Sequence, residues 1–368
     1  MDDFIKNAKA YSRSKYSLVI IETIISFLFF ALFWYSGLSQ FLAKKLSNLP
    51  VNIYIYTLLY MIILGVAYNL LTFWFDFSLS FRIEHRFGLS KQGIKSWFLD
   101  YSKKLIISSL ISLVMVMVLY TFIRFFPSAW WFYVSLLYLI FTIVLAKLFP
   151  VLIIPLFYKM ERITDEGLRL KIISLAKRAG VNVLDVYRIG LGAKTKKANA
   201  ALCGLGKTKR VLLSDTLLEN YTEEEISVTI AHELAHFKYK HIWKLTFINT
   251  LATFCQFYII YIFLGYLVDK NIILYMHDLK AFPVLVMIFS ICGFFISPFQ
   301  NFISRRYEFQ ADRDALKVTS DATSFVNLMK KLSRQNLSDP KPSLLIKLFF
   351  YNHPPVSERV KIAQEYIG

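Results

Sequence analysis

Six long apolar runs constrain the fold of this chain more than any other feature. Each run has at least about 20 residues, the length that an α-helix needs to cross the hydrocarbon core of a bilayer. The runs cover residues 17–36, 53–75, 104–126, 130–157, 243–267 and 281–303. A soluble core rarely contains so many runs of this length, and tryptophan and tyrosine lie near several run ends, as they do at membrane interfaces. The sequence therefore predicts a multi-pass membrane protein in contact with a lipid bilayer.

Basic residues are distributed unevenly among the segments that connect the runs. Lysine and arginine concentrate at residues 6–15 and 82–104, which precede the first run and separate the second from the third. The alternate loops chiefly contain Lys44, Lys45, Lys270 and Lys280. Because short cytoplasmic loops are enriched in basic residues, we expect both termini and the long segment 158–242 on the cytoplasmic side.

The formal net charge of +18 raises the question of nucleic-acid binding. The basic residues are spread over loops of the expected inner face, and they have no aromatic platform on which bases could stack. Attraction to anionic lipid headgroups explains the excess charge better. We therefore expect no nucleic-acid partner, and the sequence leaves the oligomeric state open.

The segment His232-Glu233-Leu234-Ala235-His236 contains the pattern most typical of catalysis. Two histidines four residues apart lie on one face of a helix, where both imidazoles can bind one zinc ion and Glu233 can act on a water beside it. Thr222 and Glu225 have the spacing of a capping box that begins this helix. The apolar pattern continues past His236, so we expect the helix to run on into the span 243–267.

A third zinc ligand is expected downstream, because catalytic zinc sites commonly use three protein ligands and a water. Glu308 and Asp312 are one helical turn apart, so Glu308 is the candidate ligand. Asp312 is the candidate carboxylate that orients a zinc-binding imidazole. The alternative is that both acids pair with neighbouring arginines on a solvated helix. Those arginines are Arg305, Arg306 and Arg313.

Several motifs together resemble the M48 metallopeptidases, and specifically their integral-membrane type I CAAX prenyl protease branch. They are the HELAH segment, Arg305 to Asp312 (RRYEFQAD), Asn352 to Arg359 (NHPPVSER), Phe81 to Gln92 (FRIEHRFGLSKQ), Asn199-Ala200 and Val211 to Leu218 (VLLSDTLL). They occur in the order that the family has, from about residue 55 onward. The eukaryotic members have seven membrane helices, so the resemblance implies that the first of these is missing here.

The resemblance implies roles for several residues outside the zinc-binding motif. Asn199 and Ala200 match the edge strand that holds the substrate backbone, and His353 and Asn199 match candidates for stabilising the oxyanion. Arg359 is expected to pair with acids such as Asp312 and to hold the C-terminal segment over the site. His241 matches a family position too, but five residues after His236 it points away from the ligand face, so a structural role is expected.

The expected fold is mainly α-helical, with about six transmembrane helices that enclose a chamber and a small α+β lobe of the zincin type. Within the lobe we expect a helix over 165–179, strands near 183–189, 198–204 and 209–214, and C-terminal helices over 322–336 and 355–367. The four expected regions are transmembrane spans over 1–157, the lobe over 158–242, two further spans over 243–303 and the C-terminal helical part over 304–368.

The function expected from these features is that of a membrane-embedded zinc metalloendopeptidase with one zinc ion per chain. Its partner would be a peptide or protein substrate, which the resemblance implies could carry a prenyl group. The alternative within the same class is a membrane quality-control protease of the HtpX type. The alternative of another class is a transporter or a non-catalytic metal-binding scaffold. Glu22 and Lys147 are nearly the only charged residues within the runs, which argues against an ion pathway.

Overall fold

The computed structural model describes residues 2–204 and 209–367. Among these residues, six helices are long and apolar enough to cross a membrane. The N-terminal half contains α1 (Asp2–Tyr35), α2 (Leu38–Ser47), α3 (Ile53–Phe77), α4 (Ile83–Arg86), α5 (Ile94–Phe125), α6 (Trp130–Leu148) and α7 (Ile154–Phe157). Single π-turns at Ser78–Arg82 and Phe149–Ile153 join α3 to α4 and α6 to α7. The second turn contains Pro150, and Pro155 follows it in α7, so the fourth span ends in a π-turn flanked by prolines.

The lobe between the fourth and fifth spans is built on a four-stranded sheet. Its elements are β1 (Met160–Arg162), α8 (Glu166–Arg178), β2 (Asp185–Ile189), β3 (Ala200–Cys203), β4 (Arg210–Ser214), α9 (Asp215–Asn220) and α10 (Glu223–Lys238). The strand order is β1-β2-β4-β3, so β3 forms one edge of the sheet. It pairs antiparallel with β4, with Ala200 opposite Leu213.

The C-terminal half contains α11 (His241–Asp269), α12 (Phe282–Thr319), α13 (Ala322–Gln335), α14 (Leu344–Phe350) and α15 (Val356–Ile367). The expected strands and lobe helices are present within a few residues of their predicted bounds. The strand β1 and the helices α2, α4, α9 and α14 were not anticipated. The division of the chain into four regions stays a prediction.

The helix that carries the histidine motif is capped as the sequence predicts. Thr222 Oγ1 accepts from the Glu225 backbone N–H at 3.3 Å, and Glu225 Oε2 accepts from the Thr222 backbone N–H at 3.0 Å. The prediction that this helix continues into the fifth span is wrong. Lys240 has φ = 55°, which places it in the left-handed region, so α10 ends at Lys238 and a separate helix, α11, begins at His241.

The apolar core of the lobe fixes α10 between the sheet and α12. Val228, Ile230 and Leu234 of α10 are buried in one cluster with Leu213 of β4 and Ala315 of α12. Unlike α10, α12 is continuous from its apolar membrane part through Glu308. A separate apolar cavity of about 680 Å³ lies among α1, α3, α5 and α12. Whether a chamber opens from the membrane helices onto the histidine motif stays a prediction.

Candidate metal centre and active site

The α10 and α12 helices bring three predicted ligands together. His232 Nε2 lies 3.2 Å from His236 Nε2 and 3.2 Å from Glu308 Oε2. His236 Nε2 lies 3.3 Å from Glu308 Oε1. His232 and Glu308 are buried, and His236 is partly exposed. The helical spacing of the two histidines aims both rings at the carboxylate, which the neighbouring helix supplies.

The separations of these donor atoms fit a tetrahedral metal ion. Ligands at 2.0–2.1 Å from a tetrahedral zinc are about 3.3 Å apart, close to the distances observed here. Glu308 Oε2 is buried, and no donor among the described residues meets it with hydrogen-bond geometry, although His353 Nδ1 lies only 2.7 Å away. A buried carboxylate oxygen in this state is well suited to a cation. The donor set, two imidazoles and a carboxylate, suits zinc.

Asp312 lies behind His232, next to the ring nitrogen that faces away from the metal position. Its Oδ1 accepts from the His232 Nδ1–H at 2.9 Å, and the same carboxylate receives two bonds from the Arg359 guanidinium at 2.5 and 2.8 Å. Asp312 is completely buried, so this is not the solvated arginine pairing considered as an alternative. Burial alone lowers the pKa of His232, but hydrogen bonds to Asp312 and Glu308 outweigh it and raise that pKa to about 9. The pocket therefore favours positive charge at the position of the metal.

His236 has a different partner, which the sequence interpretation missed. His241 Nδ1 lies 3.0 Å from His236 Nδ1, and His241 Nε2 lies 3.0 Å from Gln310 Oε1. The His241 ring is buried and stacks on Tyr307 with centroids 4.5 Å apart. His241 is not one of the three residues whose donor atoms cluster at the metal position. The turn at Lys240 places His241 against His236, the second candidate ligand. The sequence interpretation could have found this contact only by predicting that the helix breaks at Lys240.

The C-terminal segment folds over the centre. His353 Nδ1 lies 2.7 Å from Glu308 Oε2. Arg359 lies beside the His232 nitrogen that faces away from the metal position, with its Nη2 3.3 Å from Nδ1. Arg305 holds the end of α14, shortly before His353, because its Nη1 donates to the carbonyl oxygens of Lys347 at 2.9 Å and Tyr351 at 2.7 Å. Arg305 therefore bonds to this segment instead of to an acid on its own helix.

The charges around Arg359 keep it protonated. Burial alone lowers the pKa of this guanidinium, but the carboxylates of Asp312, Glu308 and Glu233 raise it above its ordinary value. Glu233 itself is partly exposed on α10, beside His232 and free of hydrogen bonds to other described residues. A free carboxylate beside the donor set has the freedom that a proton carrier needs.

The predicted substrate strand lies at the edge of the sheet. Asn199 precedes β3, and its backbone carbonyl accepts from the Ser214 N–H at 3.0 Å. Its side chain is exposed and makes no hydrogen bond to the metal-binding cluster among the described residues. Because backbone directions alternate along a strand, Ala200 turns its N–H and C=O away from β4, toward the free edge. A peptide could add there as a further strand.

The site combines two histidines on one helix, a carboxylate as the third candidate ligand, and a free glutamate beside them. This combination is typical of a metallohydrolase. Comparison with known proteins agrees. Residues 162–367 match the model of peptidase family M48, and residues 2–159 match a model described as CAAX prenyl protease N-terminal, five membrane helices. The chain belongs to peptidase family M48, and it is a membrane zinc metalloprotease.

Relatives extend along nearly the whole chain. An uncharacterized metalloprotease of Bacillus subtilis is 28% identical, covering 97% of this chain and 85% of its own length. CAAX prenyl protease 1 of Saccharomyces cerevisiae is 26% identical, covering 100% of this chain and 87% of its own. The crystal structure of S. mikatae Ste24p superposes with a TM-score of 0.87 at 23% identity, covering 99% of this chain and 89% of that one. The predicted polytopic helical fold is thereby confirmed.

Proposed function

We propose that this protein hydrolyses peptide bonds at one zinc site per chain, held by His232, His236 and Glu308. The observation that carries the proposal is the cluster of donor atoms. The two imidazole Nε2 atoms lie 3.2 Å apart, and each lies 3.2 or 3.3 Å from one oxygen of the Glu308 carboxylate. Zinc in such a site polarises the scissile carbonyl and lowers the pKa of a water to about 7. Glu233 takes a proton from the attacking water and gives it to the leaving amine. No covalent bond between substrate and protein is needed.

The oxyanion that forms during attack needs donors from the protein. His353 is well situated, since it is more than half exposed and already adjoins Glu308. Asn199 is the second candidate, because its exposed amide lies at the start of the edge strand, where the substrate backbone would run. Ala200 offers main-chain bonds to that backbone, which holds an extended peptide with little regard for its sequence.

We further propose that the substrates are polypeptides presented at the membrane, including prenylated ones. The match of the N-terminal half to the CAAX prenyl protease model and the full-length similarity to the yeast CAAX prenyl protease 1 support this branch over the HtpX type. The apolar cavity of about 680 Å³ among the membrane helices offers room for a lipid chain. The predicted enclosure of the site by these helices would exclude folded proteins, so extended segments are the expected substrates.

We also propose that the site and both termini face the cytoplasm. The basic residues of the loops support this orientation. Contacts between the start of α1, the α4 end and the lobe agree with an even number of crossings, since Tyr11 Oη donates to Glu84 at 2.6 Å and Lys197 Nζ lies 2.7 Å from the same carboxylate. The three elements therefore lie at the same end of the helices.

Replacing Glu233 by Gln tests the catalytic proposal. The amide keeps the shape of the side chain but cannot carry a proton at neutral pH, so we expect zinc content to be unchanged and proteolysis to fall by at least about 100-fold. Glu224→Gln, an exposed substitution on the same helix, is the matched control and should leave proteolysis unchanged. Full proteolysis by Glu233→Gln would exclude the role assigned to Glu233. If the protein were a metal scaffold or a transporter, the parent protein itself would show no proteolysis.

A further inference from the structure

The segment Phe81 to Gln92 is one of the motifs that resemble the family, yet the chemistry proposed above uses no residue from it. It connects the second membrane span to the third and contains the π-turn, α4 and the loop that follows α4. α4 ends just before Gly88, which has φ = 68°, a left-handed conformation that glycine reaches without strain. The loop beyond Gly88 reaches the lobe before α5 begins at Ile94.

This loop pairs with the part of the lobe that precedes β3. Residues 89–91 lie beside residues 194–196, in an antiparallel bridge centred on Ser90 and Thr195. Two backbone hydrogen bonds of 2.8 and 2.9 Å flank the bridge. β3 begins at Ala200, only a few residues further along the chain. A loop between two membrane helices therefore holds the chain where it enters the proposed substrate strand.

Glu84 of α4 adds an ionic contact closer to β3. One carboxylate oxygen, Oε2, lies 2.7 Å from Lys197 Nζ, and the other, Oε1, accepts from the Tyr11 hydroxyl at 2.6 Å. Lys197 Nζ also donates to the Tyr11 oxygen at 2.9 Å, so the three side chains form a closed network between α1, α4 and the lobe. The side chains of Glu84 and Lys197 are only 14% and 28% exposed. Solvent therefore screens this ion pair less than it screens a surface pair.

Hydroxyl groups of the lobe hold the same segment from the side of the sheet. Thr216 Oγ1 donates to the Lys197 carbonyl at 2.8 Å, and the Asn199 N–H donates to Ser214 Oγ at 3.0 Å. Ser214 ends β4, and Thr216 lies in α9, which follows it. Lys197 is thus fixed between a membrane helix and the sheet, shortly before β3 begins at Ala200. A displacement of Lys197 should therefore move the edge to which the substrate backbone would bind.

We propose that Glu84 is a positioning residue for the peptidase reaction, because it holds Lys197 and, through Lys197, the free edge of β3. Glu84 is not part of the metal-binding cluster, so its effect on the reaction passes through the strand. The proposal rests on the proposed peptidase function and on strand addition at Ala200. Main-chain bonds along the edge form in the bound substrate and persist in the transition state. A displaced edge weakens both states equally, so the displacement raises KM and leaves kcat nearly unchanged.

The test measures KM and the kcat per bound zinc for an extended peptide, with full-length protein in lipid nanodiscs. Glu84→Gln keeps the shape of the side chain but removes its charge, so we expect KM to rise by roughly three- to tenfold and kcat to change by less than about twofold. Lys197→Met should have the same effect, and the double variant should raise KM no further than Lys197→Met alone. Glu161→Gln is the matched control and should leave both constants unchanged, because Glu161 pairs with Lys159 at 3.2 Å and lies in β1, at the opposite edge of the sheet.

Peptides that carry one backbone N-methyl group each show whether the effect passes through the strand. N-methylation removes a backbone donor, so in the parent protein it should raise KM by about tenfold at the position that pairs with Ala200. Glu84→Gln should lower that sensitivity by at least about threefold, because the strand contact is already weakened. Equal sensitivity in parent and variant, or a lower kcat with unchanged KM, would overturn the positioning role and leave the peptidase function standing. If no methyl group affects the parent, strand addition and the role of Glu84 both fall, whereas proteolysis that depends on Glu233 still stands.

Discussion

The two histidines that we propose as zinc ligands have unequal partners, and this predicts an unequal effect of removing each partner. His232 donates to the carboxylate of Asp312, whereas His236 faces the neutral ring of His241. If Gln310 Oε1 accepts from the His241 Nε2–H, then His241 Nδ1 can accept from the His236 Nδ1–H. That leaves the His236 Nε2 lone pair directed at the metal position. Gln310 thus fixes the tautomers of both rings, and it acts on the metal only through His241.

The magnitudes follow from the kind of hydrogen bond that is lost. A neutral hydrogen bond contributes about 1 kcal/mol, so His241→Phe should weaken zinc binding by roughly fivefold while retaining the stacking on Tyr307. A bond to a charged group contributes about 1.5–3 kcal/mol, so Asp312→Asn should weaken zinc binding by about 10- to 100-fold. The second change also leaves Arg359 buried without its carboxylate. It should therefore lower the thermal stability of the metal-free protein, which His241→Phe should affect less.

The assay is competition for zinc between the purified protein and a chromophoric chelator, with thermal unfolding measured in parallel. Gln310→Met should weaken binding as His241→Phe does, and the double variant should be no weaker than His241→Phe alone, because the glutamine acts through the imidazole. Gln300→Met is the matched control, since Gln300 lies on the same helix but bonds to Asn249 at 2.8 Å. Additive losses in the double variant, or unchanged zinc affinity in His241→Phe, would refute the idea that Gln310 acts on His236 through His241.

Further predictions concern the metal, the loop over it and the membrane. Metal analysis should find about one zinc per chain, and none after His232→Ala with His236→Ala. Arg305→Met removes the hydrogen bonds to the Lys347 and Tyr351 carbonyls, which hold the chain just before His353. The change should lower kcat/KM by about tenfold or more with zinc retained. Cysteines placed at Lys240 and Lys45 should be labelled from opposite faces of the membrane, and labelling from one face would contradict six crossings. One peptide sequence should be cut when free and resist cleavage within a tightly folded fusion protein, and equal rates would refute an enclosed site.

The sequence predicted those parts of the protein that depend on local periodicity. Helical spacing alone placed His232 and His236 on one face, and the apolar runs located the six membrane helices. The same reasoning failed at Lys240, because a left-handed residue is not visible as a break in a continuous apolar pattern. The contact of His241 with His236 depends on that break, so it was missed for the same reason. Partners such as Gln310, 69 residues away from His241, become visible only when α11 and α12 are packed together.

The position of the C-terminal loop shows how a long-range contact can fix a site that no local pattern predicts. Arg305 lies one helical turn before Glu308 on α12, so the helix that supplies the third ligand also holds the loop that carries His353. Arg359, beyond that loop, returns to the same helix at Asp312 and so closes the segment at its other end. The segment between these two anchors is thus fixed to α12 at both ends. The geometry of His353 relative to Glu308 should therefore depend on two buried guanidinium groups, and loss of either should reduce activity more than it reduces zinc content.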